Sequence, residues 1–198
     1  LLGKRVHEVR KNLGIELAFE CKIKADVVIP VPDSSIPAAI GYSLASGIPI
    51  DFGLVKNRYI GRTFILPDQR LRENSVKLKL NPIKDVISGK NVIIVDDSIV
   101  RGTTIKKLVV MLRNAGAKKV HVLSSCPPVT YPDFYGIDTP SQTELIASRK
   151  TVSQIKKAWL FTMLFSNYDS FLNCRGSIFT SHLTVKNLTE FLSARFEI

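Results

Sequence analysis

Residues 91–104 read NVIIVDDSIVRGTT, and the fold is decided there. Val92–Val95 is an unbroken β-branched run, the pattern of a strand buried on both faces of a parallel sheet. Two carboxylates, Asp96 and Asp97, stand where that strand should end, and Ser98, Ile99, Val100, Arg101, Gly102, Thr103 and Thr104 follow. Ile105, Leu108, Val109 and Leu112 then recur at helical spacing. A strand therefore feeds an acidic, hydroxyl-rich loop that feeds a helix. The first amides of a helix have no internal acceptor and lie at the positive end of the macrodipole, so such a loop suits an anion. Gly102 allows close backbone approach. The carboxylates would repel a bare phosphate, which makes them ligands for Mg²⁺ or for sugar hydroxyls. A plain acidic turn with a Ser/Thr cap is the structural alternative, and the combination of features outweighs it.

Outward from this centre, Val27–Val31 is a second buried-strand candidate. The turn after it carries Asp33, Ser34 and Ser35; either serine can cap a helix whose first turn holds Pro37 and which stops at Gly47. Parallel sheets gather such loops at one edge, where ligands bind. Val6, Val9, Leu13 and Leu17 form the stripe of an earlier core-facing helix over 4–20, which begins abruptly and reads as part of a longer chain. Lys56, Arg58 and Arg62 surround Tyr59 and Gly61; cations on a segment that can flex suit a departing pyrophosphate, and a solvated basic hairpin is the alternative. Residues 66–90 read as a connector and then a strand. Val120, Val122 and Leu123 mark another strand, with His121 on its opposite face. Ser141 with Glu144 has the spacing of a capping box before a short helix over 144–148.

The 198 residues suffice for one domain with a full core. Net charge is +11, and residues 56–90 hold nine Lys/Arg against three Asp/Glu. With no RNA-binding aromatic signature or zinc spacing beside them, a polyanionic small molecule is expected and no nucleic acid. Cys21, Cys126 and Cys174 form no framework, which fits a reducing, cytoplasmic setting. No apolar run approaches the ~20 residues of a membrane span, so no membrane partner is expected, and no signal peptide is visible.

DDSIVRGTT (96–104) resembles the signature with which phosphoribosyltransferases hold phosphoribosyl pyrophosphate. In this form it is similar to the glutamine phosphoribosylpyrophosphate amidotransferase family, as are KNRYIGRTFI (56–65), YGIDTP (135–140) and ELIA (144–147). The resemblance runs over about 4–157. It implies an α/β fold of the type I phosphoribosyltransferase kind, a mainly parallel sheet flanked by helices. It also implies formation of phosphoribosylamine from phosphoribosyl pyrophosphate and ammonia, the first step of purine synthesis, in a homo-oligomer. By the same resemblance Asp96 and Asp97 hold the ribose hydroxyls and Mg²⁺, Ser98–Thr104 cradle the 5′-phosphate, Asp33–Ser35 form the pyrophosphate loop with Ser34 near Mg²⁺, and Lys56, Arg58, Tyr59 and Arg62 belong to a loop closing on the substrate. Several family members ligate an iron–sulfur cluster with a cysteine where this chain has Asp133, so no cluster is expected. The family's N-terminal glutaminase domain has no counterpart here, and 158–198 match nothing in the family; a non-catalytic phosphoribosyl pyrophosphate-binding module, a salvage transferase and an inactive fragment are the alternatives.

Overall fold

The computed structural model describes residues 5–57, 80–132, 141–159 and 162–165, with 156–159 and 162–165 described by backbone only. Its centre is β4 (Asn91–Asp96). Val92, Ile93, Ile94 and Val95 have no exposed surface, because β4 is covered on both faces and paired in parallel at both edges. On one side lies β1 (Val27–Pro30), in register Val27 to Val92 and Ile29 to Ile94. On the other lies β5 (Lys119–Ser124), in register Val120 to Val92 and Val122 to Ile94.

Alternation along the strands sorts the core into two layers. Val27, Ile29, Val92, Ile94, Val120 and Val122 face the helix α4 (Thr103–Asn114), whose Ile105, Leu108, Val109 and Leu112 fill that side. Val28, Ile93, Val95 and Leu123 face α1 (Val6–Glu20) and α2 (Ile36–Ser46). The expected mainly parallel sheet with helices on both faces is present.

The fourth strand, β6 (Thr162–Phe165), pairs in parallel with β5, Val122 to Met163, and follows α6 (Val152–Trp159). The sheet thus takes its outer strand from beyond residue 157, where the sequence reading divides domain from tail. Among the described residues β2 (Leu54–Lys56) and β3 (Leu80–Pro82) form a separate antiparallel pair, Lys56 to Leu80, that brackets residues 58–79. A single turn of helix, α3 (Lys84–Ile87), not expected from the sequence, precedes β4.

The helices α1 and α2 touch backbone to backbone. Gly14 lies so close to α2 that a Cβ there would sit 1.8 Å from the Ala38 carbonyl oxygen, and a Cβ on Gly41 would sit 1.9 Å from that of Lys11. The Tyr42 hydroxyl, fully buried, donates to the Cys21 carbonyl at 2.8 Å and pins the end of α1 to α2. Val9, Leu13 and Leu17 are buried as the stripe predicts; Val6, the first residue of the helix, is 41% exposed.

Chain order fixes where the sheet can hold a ligand. After β1 and α2 the chain returns along the outer edge of β1: the Val28 amide donates to the Pro49 carbonyl at 2.9 Å, and Asp51 N donates to the Val28 carbonyl at 3.0 Å. The next strand of this sheet, β4, lies on the opposite side of β1. Consecutive connections therefore diverge between β1 and β4, and a crevice opens at their carboxyl ends.

Candidate functional site

The two loops expected to carry the chemistry leave β1 and β4 side by side at that crevice. Val31 N donates to the Val95 carbonyl at 2.9 Å, so the first loop is stitched to β4 before it turns away. Ser35 occupies the N-cap of α2, yet its side chain does not cap the helix. The residue is fully buried and its hydroxyl donates back to the Val31 carbonyl, so it braces the loop. Asp33 and Ser34 face solvent at the start of α2, beside a cis Pro32–Asp33 peptide. Lys56, at the end of β2, reaches Asp33 with its ammonium 2.9 Å from Oδ2. This half-exposed pair brings together two of the sequence-predicted residues from separate segments.

In the second loop Asp96 ends β4 and Asp97 follows it directly. The Asp97 amide donates to Asp96 Oδ1 at 2.9 Å, and Ser125 N donates to the Asp96 carbonyl at 3.0 Å. Burial, and then the charge of Asp97, push the Asp96 carboxyl well above the usual carboxylate range. Two acids forced this close favour a cation or a hydrogen-bond donor placed between them and solvent. Cys126, a potential nucleophile by type, is buried, and burial with the Asp97 charge raises its thiol to about 12. It stays protonated and packs with Val129 and Leu145.

Beyond the carboxylates the loop divides its labour. Ile99 is buried in the α4-side core and anchors the loop by its side chain. Val100 packs against Cys126, Val129 and Leu145. Gly102 adopts the left-handed conformation, φ 73°, which turns the chain into α4. Thr103 and Thr104 are exposed in the first turn, at the helix end whose amides lack an intrahelical acceptor. That end of a twelve-residue helix can receive an anion, while Asp96 and Asp97 beside it can take a cation or hydroxyls.

Arg101 pairs with Glu144, a contact the sequence does not reveal. The capping box expected at Ser141–Glu144 is not formed. Ser141 Oγ accepts from Thr143 N at 3.3 Å, residues Gln142–Glu144 form a 3₁₀ turn, and the helix is α5 (Ile146–Arg149), which starts two residues later than expected. Glu144 is drawn away by the guanidinium, a stronger partner than a neutral amide. No local pattern signals that pairing, since it depends on tertiary placement. Arg58, Tyr59, Arg62 and Asp133 lie outside the described residues. A groove of about 610 Å³ runs along the outer side of α4 between Leu80 and Ala115. It contains none of the carboxylates or hydroxyls above, so the chemistry points to the strand ends.

The phosphoribosyl transferase domain family matches residues 4–165. The amidophosphoribosyltransferase of Synechocystis is 50% identical over 192 residues, 96% of this chain and 37% of that protein. That of Bacillus subtilis is 58% identical over 155 residues, 78% of this chain and 33% of that protein. A solved structure, the glutamine phosphoribosylpyrophosphate amidotransferase from B. subtilis complexed with ADP and GMP, superposes with TM-score 0.78 at 52% identity, over 90% of this chain and 39% of that one. The chain spans little more than a third of the length of these relatives.

Proposed function

The chain belongs to the phosphoribosyl transferase domain family, and on that premise we propose that it is the transferase portion of an amidophosphoribosyltransferase, joining ammonia to C1 of phosphoribosyl pyrophosphate with loss of pyrophosphate. The observation that carries this reading is the convergence, at one divergent point of a parallel sheet, of paired carboxylates, an open helix end with two threonines, and an Asp33–Lys56 pair.

Displacement at C1 leaves a ribose with oxocarbenium character and a pyrophosphate gaining charge. Asp96 and Asp97 hold the ribose hydroxyls and lie where developing positive charge on the ring is stabilised. The helix end at Gly102–Thr104, with Ser98 and the loop amides, receives the 5′-phosphate and fixes the ring against the carboxylates. Asp33 and Ser34 meet the pyrophosphate. Lys56, released from Asp33, closes over it with Arg58, Tyr59 and Arg62.

The carboxylates also fit Mg²⁺. Burial first, and then the Asp97 charge, disfavour the ionised Asp96, and a cation there would offset both. Among the described residues no three His, Cys, Asp or Glu side chains cluster, so the remaining ligands would come from the substrate's own phosphates, with Ser34 alongside. Bound there, Mg²⁺ supplies charge neutralisation on the pyrophosphate. Ammonia from a glutaminase, a homo-oligomer and a reducing, cytoplasmic setting complete the proposal. Buried and unbridged Cys21 and Cys126 support that setting, and exposed Phe19, Leu44 and Phe52 support self-association. No helix among the described residues is long and apolar enough to cross a membrane.

The test is Mg²⁺-dependent release of pyrophosphate from phosphoribosyl pyrophosphate at high ammonia. Release that needs ammonia, and falls by on the order of 10²–10³ in Asp96→Asn/Asp97→Asn, is expected. Binding without release would make the chain a sensor of the same ligand. A chain that neither binds phosphoribosyl pyrophosphate nor releases pyrophosphate would overturn the proposal.

A further inference from the structure

The segment following the 133–140 stretch has no expected role in binding, yet it is fastened to the anion loop at three points. The Glu144 carboxylate pairs with the Arg101 guanidinium. Ile146 N donates to the Val100 carbonyl at 3.0 Å. Leu145, with no exposed surface, is buried with Cys126 and Val129, against which Val100 packs. The segment is itself held firm: Ser148 Oγ donates to the Leu145 carbonyl at 2.8 Å, and Gln142 Nε2 donates to the Thr130 carbonyl at 3.3 Å.

We propose that residues 141–149 are a clasp that holds the Val100–Gly102 turn in its ligand-ready geometry before a phosphate arrives, with Glu144 as a positioning residue acting through Arg101. The proposal rests on the reading that Ser98–Thr104 receive a phosphate. Val100 and Arg101 are the last residues before the left-handed Gly102, so their placement sets where the amides of the α4 end point. The Leu145 contact and the Ile146 amide fix Val100; Glu144 fixes the next residue. A loop ordered in advance spares the ligand the cost of ordering it. Because the Arg101–Glu144 pair is half-exposed, its loss has little effect on global stability. Its effect falls on local order and on affinity.

The experiment compares the wild-type chain with Glu144→Ala, Arg101→Ala and the double variant in two readouts. The first is amide hydrogen exchange over residues 98–104 without ligand. The second is calorimetric affinity for Mg²⁺–phosphoribosyl pyrophosphate, with KM and kcat for pyrophosphate release. Glu144→Ala is expected to speed exchange in this loop, and to raise Kd and KM by about fivefold, the upper end for a half-exposed pair. The midpoint of unfolding and kcat should be unchanged, and adding Glu144→Ala to Arg101→Ala should change nothing further. Unaltered exchange in Glu144→Ala overturns the proposal, as does an equal effect of Glu144→Ala in the Arg101→Ala background. Faster exchange in a protein that binds no phosphoribosyl pyrophosphate leaves the clasp standing and removes the functional reading instead.

Discussion

Replacing Gly14 by alanine sets two physical effects against each other. Gly14 lies inside α1, where alanine is the better helix former by about 1 kcal/mol. An alanine Cβ, however, would stand 1.8 Å from the Ala38 carbonyl oxygen, 2.6 Å from its carbonyl carbon and 2.9 Å from its Cα. All three atoms are α2 backbone, so no rotamer change relieves the overlap, and close packing obliges the helices to part by about 1.5 Å. Overpacking of this kind costs about 1–3 kcal/mol, with the upper end apt where only backbone can yield. The net expectation is destabilisation by about 2 kcal/mol, a fall in melting temperature of roughly 4–8 °C for a chain of this size. Activity should fall as well, because Asp33 and Ser34 lie in the turn that leads into α2, and a misplacement of about 1 Å can cost on the order of 10² in rate. Thermal unfolding followed by circular dichroism, beside Gly47→Ala, checks the reasoning. Gly47 has φ 74° and open space around its missing Cβ, so alanine there meets only the left-handed backbone cost of about 1 kcal/mol. A Gly14→Ala chain melting at or above the wild type would refute the argument, since propensity would then outweigh the helix contact.

Asp96→Asn should stabilise the fold while removing function, because it replaces a strained acid by a neutral isostere. A carboxyl raised in the folded state contributes stability below the ordinary carboxylate range and loses it as pH rises through the folded value. The variant should therefore exceed the wild type at pH 7 by on the order of 1 kcal/mol, and the gap should close near pH 4; a constant gap in urea unfolding counts against this. His121 behaves in the opposite sense. Its pKa is lowered by burial and by Lys119, and its buried Nδ1 has no hydrogen-bond partner, so the fold holds it neutral. Stability is then lost as pH falls below about 6.5, where the unfolded chain takes up the proton. His121→Leu should gain on the wild type between pH 7 and pH 5 in the same assay, and a difference independent of pH would contradict the assignment.

Periodicity and local chemistry were enough to place β1, β4, β5, α1, α2 and α4, because each buries a face whose spacing is written in consecutive residues. The layer structure followed from Val92–Val95, and the two ligand-facing loops followed from what sits at the ends of apolar runs. The short elements were not legible in this way. The single turn of α3 has too few residues to show a period, and the 3₁₀ turn before α5 competes with a capping pattern of the same spacing. At the site, the sequence singled out Asp96, Asp97, Asp33 and the threonines by residue type, and it joined Ser35 to them. The structure gives Ser35 a bracing role because its hydroxyl is buried within reach of a carbonyl, a property of the turn rather than of serine. The pairings Lys56 with Asp33 and Arg101 with Glu144 were decided by tertiary structure alone. A charge's partner depends on which segments the sheet order brings together, and nothing local to either residue encodes that distance. The same holds for the raised pKa of Asp96: the neighbour Asp97 is visible in the chain, but the burial that dominates exists only once β1 and β5 close around the end of β4.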